Sequence, residues 1–274
     1  MNVFIVGLGL MGASYAMRLK AKNYLVYGYD NDPKTRQSAL SDGLILSDEL
    51  SFISEADMVI FALYPKATIE FIRKHLNLFK PHTLITDLVG TKEHLIDRLE
   101  KILPKNIRYT SHHPMAGRAK TGYTHKDSTM FNNANFLIVK TSRTQPEDID
   151  ILTKMAEAMS FKTITILTPE EHDKAIAYTS QLTHVIAVAL MHANPLKDLH
   201  ALTGDSFRDL TRIANINAAM WTELFIETQP VLSLVIEQFI EQLKVIKTHI
   251  DNKDEKALCH LLEEAKQLYQ SIAR

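Results

Sequence analysis

Val3-Phe4-Ile5-Val6-Gly7-Leu8-Gly9-Leu10-Met11-Gly12 is the stretch that decides the fold. Residues 3–6 form a continuous apolar run, as expected of a parallel strand covered on both faces. Three glycines follow at fixed spacing, just where a helix opens. The first permits a tight turn, the second lets the backbone approach a pyrophosphate, and the third allows close helix–strand packing. The pyrophosphate sits where free N–H groups and the helix dipole favour an anion. A second run, residues 25–29, leads to Asp30, 18 residues beyond Gly12. A carboxylate at that position accepts the ribose hydroxyls of an adenosine and repels a 2′-phosphate. The expected cofactor contacts are Gly7, Gly9, Leu10, Met11, Gly12, Asp30 and Leu63. The charge of Asp30 favours NAD over NADP, although Lys34 and Arg36 lie close enough in sequence to reach a 2′-phosphate.

Outward from this motif, short apolar runs recur at residues 58–62, 83–86, 109–111, 136–139 and 163–167. Helical patterns lie between them, among them 11–21, 66–78 and 147–160. This alternation predicts an α/β, Rossmann-type doubly wound sheet. The pattern changes at Thr168-Pro169-Glu170-Glu171, which has an N-cap Thr, Pro at the first helical position and Glu at the third. No strand is evident beyond it. Leu258, Leu261, Leu262, Ala265, Leu268, Tyr269 and Ile272 recur at helical spacing, and residues 229–250 behave similarly. The expected organisation is a dinucleotide-binding domain over 1–167, then an all-α domain over 168–274 for substrate binding and dimerisation.

The 274 residues carry 31 Lys and Arg against 32 Asp and Glu, so no basic surplus points to nucleic acid or an anionic membrane. The single cysteine, Cys259, suits a reducing, cytoplasmic setting. Residues 1–17 lack the basic start of a signal peptide. Residues 175–196 have no charged side chain, but Ser180, Gln181, Thr183, His184, His192 and Asn194 make them too polar for a lipid span. They read as a helix buried in protein at a subunit interface. That run and the apolar stripes after 229 favour a homodimer. No zinc-type histidine spacing or cysteine cluster is present, so no metal is expected.

Ser111-His112-His113-Pro114-Met115-Ala116-Gly117 falls at the edge of the sheet that faces the ligand crevice. A histidine there either takes a proton from a substrate hydroxyl or merely packs at a strand end, and chemistry alone leaves both readings open. Arg208 and Arg212, four apart on a helix, suit a carboxylate. Gln181 and His184 face the same way on an otherwise apolar helix, and either a ligand or a neighbouring helix must partner them.

With these motifs in this order, nearly the whole chain resembles the prephenate and arogenate dehydrogenases of tyrosine biosynthesis, the TyrA family. The resemblance rests on GLGLMG at 7–12, HPMAG at 113–117, Glu171-His172-Asp173, Ser180-Gln181-Leu182-Thr183-His184, FRDLTRIA at 207–214 and Trp221. It implies hydride transfer from prephenate to the nicotinamide, with loss of the ring carboxylate as CO₂. His113 matches the catalytic histidine that accepts the proton of the ring hydroxyl. Arg212 matches the arginine that binds the ring carboxylate. Arg208, His184, Gln181, Trp221, Thr91 and Lys92 fall near substrate, and His172 and Asp173 look like framework. Histidines other than 113 and 184, His112 among them, read as surface or packing residues.

The chain departs from the family in four places. Asp87-Leu88-Val89-Gly90-Thr91-Lys92 has Gly90 where many members place a serine that hydrogen-bonds the catalytic histidine. Either Thr91 supplies that hydroxyl or no side chain does. Gln181 replaces a histidine, Ala119 a frequent acidic residue, and Thr228 an asparagine. The two domains use up the length, leaving no room for a fused chorismate mutase or ACT domain, so feedback by tyrosine is expected at the active site itself. Competing readings are arogenate as substrate, another two-domain oxidoreductase such as a β-hydroxyacid dehydrogenase or pyrroline-carboxylate reductase, and a non-catalytic NAD sensor. Only the first family needs HPMAG and FRDLTRIA together.

Overall fold

The computed structural model describes residues 1–117 and 120–272. Five parallel strands make the first sheet: β1 (Asn2–Val6), β2 (Leu25–Tyr29), β3 (Met58–Phe61), β4 (Leu84–Asp87) and β5 (Arg108–Tyr109). Their spatial order is β2-β1-β3-β4-β5. The crossovers carry α1 (Leu10–Lys20), α2 (Pro33–Ser41), α3 (Pro65–Lys74) and α4 (Glu93–Ile102). The apolar runs are continuous because both faces are covered. Val3 and Ile5 pack in one core with Ala13, Ala16 and Leu19 of α1. Phe4 and Val6 point the other way, into a core with Ile69 and Ile72 of α3 and Leu95 and Leu99 of α4.

The last three strands leave this sheet and form their own: β6 (Ser111–Met115), β7 (Asn135–Val139) and β8 (Thr163–Leu167), with α5 (Pro146–Ala158) between β7 and β8. Residues 109–111, expected as one strand, are therefore split. Arg108 and Tyr109 pair with β4, while β6 runs antiparallel to β7 with His113 opposite Leu137. His113, Pro114 and Met115 of the HPMAG segment accordingly lie within β6 itself. Pro114 is tolerated because β6 lies at an edge.

No strand follows Leu167 among the described residues. At Thr168 the expected capping box is present: the Thr168 hydroxyl accepts from Glu171 N, and the Glu171 carboxylate accepts from Thr168 N. It starts α6 (Pro169–Ile176), which continues through a π turn, Ala177–Gln181, into α7 (Leu182–His192). The segment 175–196 is thus not one regular helix. Nor is it buried within a single chain: Leu182 and Ala187 are covered, but Tyr178 and Met191 are exposed. Then come α8 (Leu199–Leu202), α9 (Asp205–Thr211), a 3-10 turn over Arg212–Ala214, and α10 (Ala218–Glu227).

The chain divides into two compact units, Met1–Thr228 and the residues from Gln229 onward. The change from strands to helices at Thr168 falls inside the first unit. The second consists of α11 (Gln229–Asp251) and α12 (Glu255–Ile272), packed on each other through a turn in which Lys253 takes φ +52°. On α12 the side chains of Leu262, Leu268, Tyr269 and Ile272 are exposed. No helix among the described residues is long and apolar enough to cross a membrane.

Candidate active site

The glycine turn closes tightly in two places and stays open in one. Gly7 has φ +93°, and a Cβ on it would fall 2.5 Å from Ala62 O and 2.8 Å from Leu63 Cδ2. A Cβ on Gly12 would fall 1.8 Å from Gly7 O, so α1 packs directly on the turn. A Cβ on Gly9 meets nothing within 4 Å. Gly9 precedes Leu10 and Met11 in the first turn of α1, where backbone N–H groups lack helical partners. This open, donor-rich concavity fits a pyrophosphate. Asp30 stands beside it, its Oδ2 accepting from Leu8 N at 2.8 Å and its Oδ1 from Asp32 N at 2.9 Å. Leu63 packs against Gly7.

At β6, three side chains form a chain of hydrogen bonds. His113 Nδ1 lies 2.9 Å from His172 Nε2, and His172 Nδ1 lies 2.7 Å from Asp173 Oδ1. A carboxylate only accepts, so His172 Nδ1 carries the proton that it donates to Asp173. Burial holds the pKa of His172 below its ordinary value, and the bare Nε2 of the neutral ring then accepts from His113 Nδ1–H. That leaves His113 Nε2 with a lone pair. Burial first, then the neighbouring His172, Lys92 and His112, push the His113 pKa well below the ordinary histidine value. Its ring is neutral at neutral pH and ready to accept a proton. Asp173 is itself fixed by Lys92 N at 2.9 Å and Glu93 N at 2.9 Å, where it caps α4.

Beneath this chain lies a buried ion pair. Lys92 Nζ donates to Asp87 Oδ1 at 2.7 Å and to His112 O at 2.9 Å, and neither charged side chain is exposed. Burial lowers the Lys92 pKa, against the opposing charge of Asp87. Asp87 Oδ2 also accepts from the Tyr109 and Ser111 hydroxyls. The network ties the end of β4 to the start of β6 and so sets the height of His113. Lys92, expected near substrate, has its ammonium buried in this framework, bonded to Asp87 and His112 O. Thr91 does not supply the missing hydroxyl, because its buried Oγ1 has no hydrogen-bond partner. His112 is fully buried between Thr86 Oγ1 at 2.6 Å and Tyr15 OH at 3.1 Å, a packing role.

The helical side of the first unit brings His184 and Trp221 together, with ring centroids 3.8 Å apart. His184 Nδ1 donates to Ser180 O at 2.9 Å. Leu224, three residues past Trp221, reaches Gly90: a Cβ on Gly90 would lie 3.8 Å from His113 Nε2 and 4.0 Å from Leu224 Cδ1. Glu223 accepts from Lys66 N at 2.8 Å and anchors α10 at the start of α3. The Trp221 helix therefore approaches the His113 ring across Gly90. Arg208 and Arg212 are exposed. Arg208 bonds to Thr203 O and Asp205, and Arg212 begins the 3-10 turn that ends α9, so the pair does not share one regular helix. Neither arginine bonds to the His113 cluster. Gln181, expected at substrate, is buried, and its Oε1 accepts from Thr228 Oγ1 at 2.8 Å.

A family model described as prephenate dehydrogenase, nucleotide-binding domain, matches residues 13–165, and one described as prephenate dehydrogenase, dimerization domain, matches residues 168–264. The chain belongs to the prephenate dehydrogenase family. A prephenate dehydrogenase of Bacillus subtilis (strain 168) is 28% identical over 279 residues, covering 97% of this chain and 74% of that protein. A cyclohexadienyl dehydrogenase of Zymomonas mobilis is 28% identical over 264 residues, covering 92% and 89%. Among solved structures, prephenate dehydrogenase from A. aeolicus in complex with hydroxyphenyl propionate and NAD+ matches with a TM-score of 0.90. It is 28% identical, over 99% of this chain and 98% of that one.

Within the family, this chain's departures now have places. Gly90 lies against the His113 ring, where a serine side chain would fit, and orientation comes instead from His172 on the other ring nitrogen. Gln181 and Thr228, two separate departures in sequence, are each other's partner. Ala119 lies outside the described residues. The reading of His172 and Asp173 as framework at the helix start did not extend to the hydrogen bond between His172 and His113. The available signal was an aspartate directly after a histidine at a helix start, a spacing equally natural for a cap.

Proposed function

We propose that this chain catalyses the NAD-dependent oxidative decarboxylation of prephenate to 4-hydroxyphenylpyruvate in tyrosine biosynthesis. The observation that carries the proposal is the His172 bond to His113 Nδ1, which leaves the Nε2 lone pair of a neutral ring for a substrate hydroxyl, in a chain of this family. The glycine turn and Asp30 hold the dinucleotide, and NAD, when bound, supplies the acceptor for the hydride. His113 Nε2 takes the proton of the ring hydroxyl as the C4–H electron pair leaves. The bond to the ring carboxylate breaks, its electrons enter the ring, and aromatisation drives release of CO₂. His172 and Asp173 keep the proton of His113 on Nδ1 throughout. Arg212 pairs with the ring carboxylate through parallel hydrogen bonds. Arg208, His184 and Trp221 surround the pyruvyl side chain.

We further infer a homodimer built through the helices after Thr168, supported by the family's dimerization domain and by exposed apolar side chains such as Leu262 and Leu268. Exposed, free Cys259 suits a reducing cytoplasm. Steady-state kinetics test the activity, with NAD or NADP as acceptor and prephenate or arogenate as substrate. The expected result is turnover with prephenate and NAD. A preparation that binds NAD but turns over neither substrate would overturn the reading, and a preference for arogenate would replace the substrate.

A further inference from the structure

The end of β2 holds an arginine already engaged by acidic and carbonyl oxygens. Arg36 lies on α2, six residues past Asp30, with its guanidinium 5.0 Å over the Tyr29 ring. Its Nε donates to Asp48 Oδ2 at 2.8 Å and its Nη1 to the Asp30 carbonyl at 2.6 Å. The two charged side chains are only 22% and 30% exposed. Asp48 does not hang on a loose loop. The residues before it run along the outer edge of β2, with Leu46 N on Val26 O at 2.8 Å and Gly28 N on Ser47 O at 3.1 Å.

In this fold an arginine near the end of the second strand is the group that accommodates a 2′-phosphate. Here such an arginine exists, yet its fork is turned onto Asp48 and the backbone. We propose that Asp48 is a specificity-determining residue: by clamping Arg36 it withholds the cation that would receive the 2′-phosphate of NADP. Two carboxylates then favour NAD by different routes. Asp30 repels the phosphate directly, and Asp48 acts through Arg36. Lys34 does not replace Arg36, because it lies in the exposed first turn of α2, beside Asp32, whose carboxylate accepts from Lys34 N and Thr35 N and adds like charge to that of the phosphate. The inference rests on the reading of the chain as an NAD enzyme.

The test is kcat/KM for NAD and for NADP, with prephenate saturating, in the wild-type chain, Asp48→Asn, Arg36→Leu and the double variant. Asp48→Asn is expected to raise kcat/KM for NADP about tenfold, the scale of one charged hydrogen bond, and to leave that for NAD within about twofold. Adding Arg36→Leu should abolish the gain. No gain in Asp48→Asn would overturn the proposal. So would a gain that survives loss of Arg36, or an equal gain with both cofactors. Wild-type turnover with NAD is the control that separates these outcomes from failure of the activity itself. Melting temperatures of the four chains check folding, and NADPH fluorescence titration reads the same preference in any variant too slow for kinetics.

Discussion

Asp173 can only accept hydrogen bonds, and that one fact sets the protonation of two histidines in series. The arrangement resembles the logic of a catalytic triad, in which a buried carboxylate fixes the tautomer of a base without taking its proton. His172 is a positioning residue, and its removal has a signature that lost packing would not produce. His172→Asn is expected to lower kcat about tenfold or more. The acidic limb of the kcat–pH profile should also move up, because on acidification a proton taken up by His172 opposes one on the His113 ring beside it. KM for NAD should not change. An unaltered profile with normal kcat would remove His172 from the mechanism. At this scale His113 was legible, because HPMAG is a local pattern. His172 was not, because its partner lies 59 residues away and only the fold brings the two rings together.

At the scale of elements, β3 and residues 3–6 of β1 were readable because they are buried on both faces and so apolar throughout. The second sheet was not, because periodicity states that a segment is extended but not which neighbour it pairs with or in which direction. The π turn at Ala177–Gln181 was equally hidden; it changes which side chains face the core without changing composition. One consequence is that Gln181 turns inward to Thr228 rather than outward to a ligand. Thr228→Val should destabilise the fold by about 1–3 kcal/mol, since it leaves a buried amide oxygen unpaired. Gln181→Leu combined with Thr228→Val should recover part of that loss. Urea denaturation of the single and double variants measures both. If the single variant costs nothing, the Gln181 oxygen has another partner, and its exclusion from the substrate site fails.

At the scale of the whole molecule, three histidines that the fold keeps neutral set the acid limit. Burial lowers the pKa of His112, His113 and His172 below the ordinary value. An unfolded chain protonates all three near pH 6.5. Below that pH the unfolded state binds more protons than the folded state, so stability falls as the medium is acidified. Above it both states are neutral at these positions and the effect vanishes. The melting temperature is therefore expected to drop between pH 7.5 and pH 5, and His112→Asn should flatten that slope. A melting temperature independent of pH over this range would contradict the burial of three neutral rings. The Rossmann architecture and the change to helices at Thr168 were legible at this scale. The division of the chain at Thr228 was not, since it depends on how helices pack and not on which residues form them.

The role of His113 as proton acceptor is tested most directly by single-turnover and steady-state oxidation of prephenate by His113→Asn, with NAD affinity measured alongside. A kcat lowered about 100-fold or more, with the Kd for NAD unchanged, is the expected result. A variant that turns over within twofold of the wild-type chain would contradict it.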